Sequence, residues 1–319
     1  MKQFTIGPND AGQRLDRFVK KVAPALPPSL LQRYIRIKRI KINHKRGENA
    51  TILSQGDLVE MYINDEFFPP EEGERLPFLA AGDALDIVYE DENLLLVNKP
   101  QGLVVHEDDE GTRDTLIARI QKYLYNRHEY DPASENAFAP ALCNRIDRNT
   151  GGIVIAAKNA ATLRVMNALI RDRLIKKEYL CIVHGCPSPK SGMLKGFLCK
   201  DEKENRVFVH DAPQPGARTA LTRYRVLKSS GRFSVVEIEL LTGRTHQIRA
   251  QMAHAGHPLL GDTKYGTAKQ NAGTGYRFQA LWSYRLTFDA GERAEHLAYL
   301  NGRTFEVKDI PFLRDFERL

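Results

Sequence analysis

Cysteine is scarce in this sequence. Cys143, Cys181, Cys186 and Cys199 are the four in 319 residues, and no two form a Cys-x-x-Cys pair. That excludes a disulfide scaffold and the commonest thiolate clip for a metal. Long apolar runs are missing as well. The longest, such as Ile153 to Ala157, fall far short of the ~18 residues a membrane span needs. The opening Met1-Lys2-Gln3-Phe4-Thr5 lacks a basic-then-apolar signal pattern, so the expected location is the reducing cytoplasm, with no membrane partner. No Gly-x-x-x-x-Gly-Lys-Ser/Thr loop is present to cradle a nucleotide triphosphate. Gly-x-Gly-x-x-Gly after a strand, a Gly-x-Ser-x-Gly elbow and His-Glu-x-x-His are also absent. No cofactor site is legible, and none is expected.

What remains is an ordinary globular composition, 42% hydrophobic and 27% charged. The length suggests one large and one small domain. Charge is unevenly spread around a net +7. Residues 1–62 carry 12 Lys and Arg against 5 Asp and Glu. Residues 63–110 carry 2 against 14, and residues 111–319 carry 33 against 21. Two basic regions flank an acidic one. Basic surface favours a polyanion through phosphate neutralisation and counterion release, which makes nucleic acid the first partner to consider. Solvated helices would show the same excess.

The pattern along the chain divides it into a basic module at 1–62, an acidic and proline-rich linker at 63–82, and a large domain at 83–319. Leu15, Phe18, Val19 and Val22 have helical spacing, as do Leu30, Leu31, Tyr34 and Ile35. Ser29 is the expected cap of the second helix. Strands are expected over Lys38–Asn43 and Leu58–Tyr62, with Gly56-Asp57 turning between them. From Ile87 onward strands follow one another directly: Ile87–Tyr89, Leu94–Val97, Gly152–Ala156, Tyr179–Val183, Arg223–Leu227, Phe233–Leu241 and Leu281–Phe288. Helices are expected over Thr115–Leu124, around Leu163–Ile170 and over Gln247–Ala255. This is an α+β pattern with a mixed, mainly antiparallel sheet.

Three segments are unusual for purely structural sequence. In Asn144-Arg145-Ile146-Asp147-Arg148-Asn149-Thr150-Gly151-Gly152 a carboxylate flanked by arginines sits in a loop feeding a buried strand, a place where reacting groups are common. A turn aspartate with solvated arginines fits the same residues. Leu241-Thr242-Gly243-Arg244-Thr245-His246-Gln247-Ile248-Arg249 is a strand-to-helix turn, with Thr245 as the expected cap. Gly256-His257-Pro258-Leu259-Leu260-Gly261-Asp262 follows, and this density of glycine suggests backbone approach to a ligand. Ile175-Lys176-Lys177-Glu178-Tyr179 sets an aromatic beside cations, a stacking platform for a base or an ordinary strand start. His246, His254 and His257 are the densest histidine cluster, but their spacing is poor for a zinc site and no metal is expected.

Arg145-Ile146-Asp147-x-x-Thr150-Gly151-Gly152 resembles the Arg-Leu-Asp-x-x-Thr-Ser-Gly signature of the RluA family of pseudouridine synthases. The 241–262 segments resemble that family's third motif. Asn98-Lys99-Pro100-x-Gly102-x-x-x-His106 resembles its opening motif. These stand in the family's order over about residues 86–288. Ile146 replaces the usual leucine, Gly151 the usual serine, and Asn144 stands where histidine is common. Residues 1–62 resemble, more loosely, the S-four-like RNA-binding domain, through Arg14-Leu15-Asp16-x-Phe18, Ile42-Asn43 and Gly56-Asp57. Lys38-Arg39 replace its usual glycine.

The resemblance implies isomerisation of uridine to pseudouridine within RNA, ribosomal (23S) rather than transfer RNA, by a cofactor-free monomer. It assigns the working carboxylate to Asp147. A carboxylate shielded from water needs an opposing cation to stay charged, and Arg249 is the matching residue, so an Asp147–Arg249 ion pair is expected. Tyr179 matches the tyrosine that packs on the extruded uracil and assists removal of the C5 proton. Arg145 matches a residue that fills the space vacated in the RNA, or supports the Asp147 loop. Thr150, Lys99, His106 and Arg244 are placed near the cleft. Arg33, Arg36, Lys38 and Arg39, with Lys45 and Arg46, would meet phosphates. Two rival readings stand beside it: a non-catalytic RNA-binding or ribosome-assembly factor on the same fold, and a metal-dependent RNA hydrolase built on His246, His254 and His257.

Overall fold

The computed structural model describes residues 1–69, 76–108 and 111–319. Its strands form two separate sheets. The first belongs to the basic segment: β1 (Lys2–Thr5), α1 (Leu15–Val22), α2 (Pro28–Arg36), β2 (Ile40–Ile42), β3 (Lys45–Arg46) and β4 (Leu58–Met61). The sheet order is β1-β4-β2-β3, antiparallel throughout. Leu15, Phe18, Val19 and Val22 line the buried face of α1, and Leu31 and Ile35 that of α2, as their spacing requires.

Several boundaries differ from expectation. Helix α2 opens at Pro28, because proline lacks only an N–H that is orphaned at N1 anyway; Ser29 is inside the helix and does not cap it. Lys38 adopts φ +63°, so strand β2 starts two residues late. Strands β1 and β3 are too short for a period-2 signal to stand out. The acidic linker is packed at both ends. Phe68 is buried in the core of the first unit, and Phe78 lies 5.7 Å from the ring of Tyr125 and 6.0 Å from that of Tyr130. Its middle, residues 70–75, lies outside the described residues.

The large sheet is built from β5 (Ile87–Glu90), β6 (Leu94–Lys99), β7 (Ala141–Leu142), β8 (Gly151–Ala157), β9 (Ile175–His184), β10 (Ser191–Asp201), β11 (Arg206–His210), β12 (Arg218–Ser229), β13 (Phe233–Leu240), β14 (Leu281–Phe288) and β15 (Thr304–Glu306). Its main path runs β11-β10-β12-β13-β9-β14-β8-β6-β5. Strand β15 pairs with β14, and β7 with β8. Among the described pairings only β14 with β8 is parallel. The fold is α+β with a mainly antiparallel sheet. Strands β10 and β11 escape a search for alternation because most of their side chains are only half-buried.

Both faces of this sheet are covered, and strand β8 shows why it is apolar throughout. Ile153 and Ile155 point to the side packed by Met166 and Leu169 of α4 (Ala160–Arg171, with α3 over Leu116–Asn126 before it). Val154 and Ala156 point to the other side, with Leu116, Ile120 and Leu124 of α3. Helix α5 (Gln247–His254) joins that second side through Ile248 and Met252. Tyr179, Cys181 and Val183 of β9 share it. Strand β8 therefore delivers the loop before it to the face that carries α5 and Tyr179.

The two units are bonded to one another. Asn9 donates through Nδ2 to Glu135 Oε1 at 2.6 Å, and its Oδ1 accepts from Ala160 N at 3.0 Å. Asn136 Nδ2 reaches Thr5 O and Asp10 Oδ2, both at 2.8 Å. Arg164 Nη1 donates to Ala11 O at 3.1 Å. No helix among the described residues is long and apolar enough to cross a membrane.

Candidate active site

The loop ahead of β8 is shaped by bonds from three directions. Asn144 Oδ1 accepts from Ile155 N at 2.8 Å, and Thr150 N closes a turn onto Asp147 O at 3.0 Å. From β6, Lys99 extends beneath the loop and is wholly buried. Its Nζ donates to Arg148 O at 2.9 Å and to Pro100 O and Leu103 O at 2.8 Å. Burial pushes the Lys99 pKa down to about 7, against the pull of Asp147's charge. The three carbonyls favour the ammonium, since a neutral amine has only two hydrogens to give. Gly102, at φ +86°, returns the chain so that its N–H also meets Arg148 O, at 3.0 Å.

Where the family signature has serine, Gly151 makes room for a ring. A Cβ at that position would lie 2.2 Å from Cζ3 of Trp282 on the neighbouring strand β14. Trp282 is held from its other end by Nε1 donating to Asn98 Oδ1 at 3.0 Å. At Gly152 a Cβ would lie 2.2 Å from Ser283 O. The paired glycines thus let β8 and β14 come together directly after the loop.

The second wall is the turn from β13 into α5. His246, not Thr245, is the residue at the helix start, and it adopts φ +50° with no side-chain cap. Gln247 braces the turn from inside the helix instead. Its Oε1 accepts from Arg244 N at 3.1 Å and from Thr242 Oγ1 at 2.8 Å, while its Nε2 reaches Leu221 O at 3.0 Å. This locks the first turn of α5 and aims Arg249 at the loop.

Arg249 joins two carboxylates. Nη1 donates to Asp147 Oδ2 at 2.8 Å. Nε and Nη2 donate to Asp262 Oδ2 and Oδ1 at 2.7 and 3.1 Å. Burial opposes the guanidinium charge, and the bonds to Asp262 and Asp147 outweigh it, raising the Arg249 pKa. Asp262 is fully buried; burial raises its pKa, and Arg249 with the N–H groups of Lys264 and Tyr265 more than reverses this.

Tyr265 hands on a further constraint. Its hydroxyl accepts from Val207 N at 2.8 Å and lies 2.9 Å from His246 Nδ1. Among the described residues, Nδ1 is the only acceptor bonded to that hydroxyl. The arrangement that uses every hydrogen has Tyr265 donating to Nδ1, which leaves the His246 proton on Nε2. That atom lies 3.9 Å from Asp147 Oδ2. Burial lowers the His246 pKa, Asp147 opposing and Arg249 adding to the shift.

These walls enclose a cavity of about 450 Å³. Asp147, Tyr179, Arg249, Arg145, Thr150 and Arg244 line it, together with His246 and Lys177. Tyr179 is 6% exposed, and burial with the nearby charge of Asp147 pushes its pKa up to about 12. A carboxylate bonded to a cation, a protonated phenol and a histidine donor thus converge on one apolar-floored hollow of small-molecule size.

The family model described as RNA pseudouridylate synthase matches residues 93–254, half of the chain, with Asp147, Tyr179 and Arg249 inside the matched stretch. The chain belongs to the RNA pseudouridylate synthase family. It is therefore an isomerase acting on RNA. Ribosomal large subunit pseudouridine synthase C of Vibrio vulnificus is 31% identical over 83% of this chain and 80% of its own length. Synthase D of Neisseria meningitidis serogroup A is 31% identical over 91% of this chain and 75% of its own. An RNA pseudouridine synthase of Mycoplasma genitalium is 30% identical over 97% of each. These relatives support the RluA branch of the family. The human protein RNA pseudouridylate synthase domain containing 4 shares the fold, with a TM-score of 0.57 at 22% identity over 73% of this chain and 92% of that one.

Within this pseudouridine synthase, the residues anticipated from sequence separate into three groups. Asp147, Tyr179, Arg249, Arg145, Thr150 and Arg244 meet at the cavity. Lys99 lies beneath it with no exposed surface, so it supports the loop and cannot touch a substrate. His106 does not line the cavity; its pKa is lowered by burial and by the charge of Arg145. Arg33 and Arg36 line a separate groove on the first unit; Arg39, outside that lining, lies over the ring of Tyr34 at 5.4 Å. Lys38 follows α2 on that same unit. The three histidines part company: His254 meets Asp211 and His257 meets His184 O, so only His246 serves the cavity. Asp262, Tyr265 and Gln247 act in the site without having been singled out. Their signal was position, in a glycine-dense run beside the expected arginine.

Proposed function

We propose that this enzyme converts uridine to pseudouridine in ribosomal RNA of the large subunit, with Asp147 as the working carboxylate. The reaction breaks N1–C1′, forms C5–C1′ and moves one proton from C5 to N1, so no group is gained or lost. Asp147 serves as nucleophile or as electrostatic partner to the ribose or ring, both roles open to a carboxylate. The observation that carries this is the Asp147–Arg249 bond at the edge of the cavity that Tyr179 lines. The names of the relatives from Vibrio and Neisseria support the ribosomal substrate.

A stacked uracil is out of reach, so the base has to swing out, at a cost of a few kcal/mol. Packing against Tyr179 offsets roughly 1–3 kcal/mol of this. With its pKa raised, the phenol remains protonated at neutral pH and acts as a packing surface and donor more readily than as a base. Arg145, exposed at the mouth, fills the gap left in the RNA. His246 donates from Nε2 to a carbonyl of the uracil. Residues 1–62 form an S-four-like RNA-binding domain whose Arg33, Arg36, Lys38 and Arg39 take phosphates, joined through residues 63–82 to the catalytic domain at 83–319. The enzyme works as a monomer in the cytoplasm.

Mapping pseudouridine across cellular RNA with and without this protein, and with Asp147→Asn restored, tests the reading. The expected result is loss of one or more large-subunit sites that wild type restores and Asp147→Asn does not. Restoration by Asp147→Asn would overturn it.

A further inference from the structure

Strand β9 sorts its side chains between two surfaces. Tyr179 points into the cavity, and so, two residues earlier, does Lys177. Lys176 and Glu178 point the other way, where they bond to each other at 2.9 Å and Glu178 holds Arg285 at 2.7 Å. Lys177 has no such company. It makes no hydrogen bond or ion pair among the described residues. Its ammonium stands beside the turn after β13, where a Cβ on Gly243 would come within 3.7 Å of Nζ. Asp147 is the one acidic residue among those that line the cavity, and it is bonded to Arg249. Burial lowers the Lys177 pKa, and no carboxylate acts to restore it.

A half-buried ammonium without a counter-ion is costly, and folding alone gives no reason to keep it. A ligand that brings an anion would supply one. RNA carries a formal negative charge only on its phosphodiesters. Asp147 is bonded to Arg249 and forms no ion pair with Lys177, so it does not serve as the counter-ion.

We infer that Lys177 is a phosphate-binding residue of this cavity, taking the phosphodiester next to the uridine that enters. The contact would anchor the backbone on one wall while the base reaches Tyr179. Gly243 stands next to the ammonium without a side chain of its own, so the turn presents only backbone there. This rests on the cavity being the uridine site.

The test uses the full chain, with RNA extracted from cells lacking this protein as substrate and pseudouridine read site by site. Lys177→Met and Lys177→Arg are compared with wild type over a series of salt concentrations. For Lys177→Met the expected result is a KM raised roughly tenfold or more, with kcat altered far less. The slope of log affinity against log salt should shrink by about 0.7, the loss of one phosphate contact on a single strand. Lys177→Arg should recover most of both. Thermal unfolding gives a readout that a structural role moves the opposite way: Lys177→Met should unfold at the same or a higher temperature, because an unpaired buried charge has gone. A fall in kcat with KM and salt slope unchanged would overturn the inference in favour of contact with the base. Lowered thermal stability, or no kinetic change at all, would overturn it as well. Asp147→Asn run in parallel keeps the two readings apart: full activity there sinks the uridine site itself, whereas an inactive Asp147→Asn beside an unaffected Lys177→Met sinks only the phosphate contact.

Discussion

Arg249 meets Asp147 through a single hydrogen bond of 2.8 Å, because the rest of its fork is already fastened to Asp262. Asp262 therefore sets the angle from which the guanidinium faces the loop. Removing Arg249 would strand Asp262 as a buried charge. Arg249→Ala should lose roughly 3–5 kcal/mol of stability, measured by denaturant unfolding. Arg249→Lys is the sharper probe, since an ammonium keeps the charge but cannot span both acids. It should fold, yet turn over RNA at least ~10-fold more slowly. Near-full turnover by either variant would show that the pairing is not needed.

Asp147→Asn keeps the size of the side chain and one oxygen facing Arg249. It should fold with wild-type stability to within about 1 kcal/mol and lose at least ~10³ in turnover. Pseudouridine yield at unchanged rate would remove Asp147 from the chemistry.

His246 makes stability depend on pH in a definite direction. Its folded pKa lies below the ordinary 6.5, so below that value the unfolded chain takes up a proton that the folded protein refuses. Stability should fall as pH descends through 6.5, by up to ~1.4 kcal/mol per pH unit, and level off once the folded histidine also charges. His246→Gln should lack this component between about pH 8 and about pH 5. Identical pH profiles for the two proteins would contradict it.

Lys99→Met takes the ammonium from three carbonyls, of which Arg148 O keeps the N–H of Gly102 while Pro100 O and Leu103 O lose their donor. The expected cost is about 3 kcal/mol in unfolding experiments, with kcat reduced and RNA affinity kept. Unaltered stability would mean that the loop is held by other bonds.

Gly151→Ser, which restores the residue usual in the family, should be harmful here. The new Cβ would overlap Trp282, at a cost of roughly 1–3 kcal/mol. Paired with Trp282→Leu, the serine should be tolerated better than the sum of the single changes. A double-mutant cycle measures that coupling, and strict additivity would show that the ring moves aside freely.

Much of the site was legible because its motifs are short and local. Arg145, Asp147 and Thr150 sit within one loop, and the strand after them is apolar enough to mark where that loop ends. Arg249 was placed by its match to the family's third motif, on a helix that begins at Gln247. The full burial of Lys99 was not legible for a physical reason: a lysine at the end of an apolar strand looks the same whether its amine reaches solvent or three carbonyls. The burial of Lys177 was hidden likewise, although its spacing from Tyr179 put both on one face. Thr245 looked like the cap because threonine usually is one, whereas Gln247 reaches back from inside the helix. Tyr265 and Asp262 lie far from Asp147 in sequence, and only the folded chain joins them.

One junction bears on how the front of the chain can be studied. The amide of Ala160, at the first position of α4, is taken by Asn9, and Arg164 of the same helix holds Ala11. A helix of the large unit thus has the first amide of its opening turn satisfied by a residue of the small one. Cutting away residues 1–62 would strip a basic surface and also leave that turn unfinished, so any loss of RNA binding would have two origins. Reversing charge at Arg33 and Arg36, which take no part in those bonds, alters the surface and spares the seam.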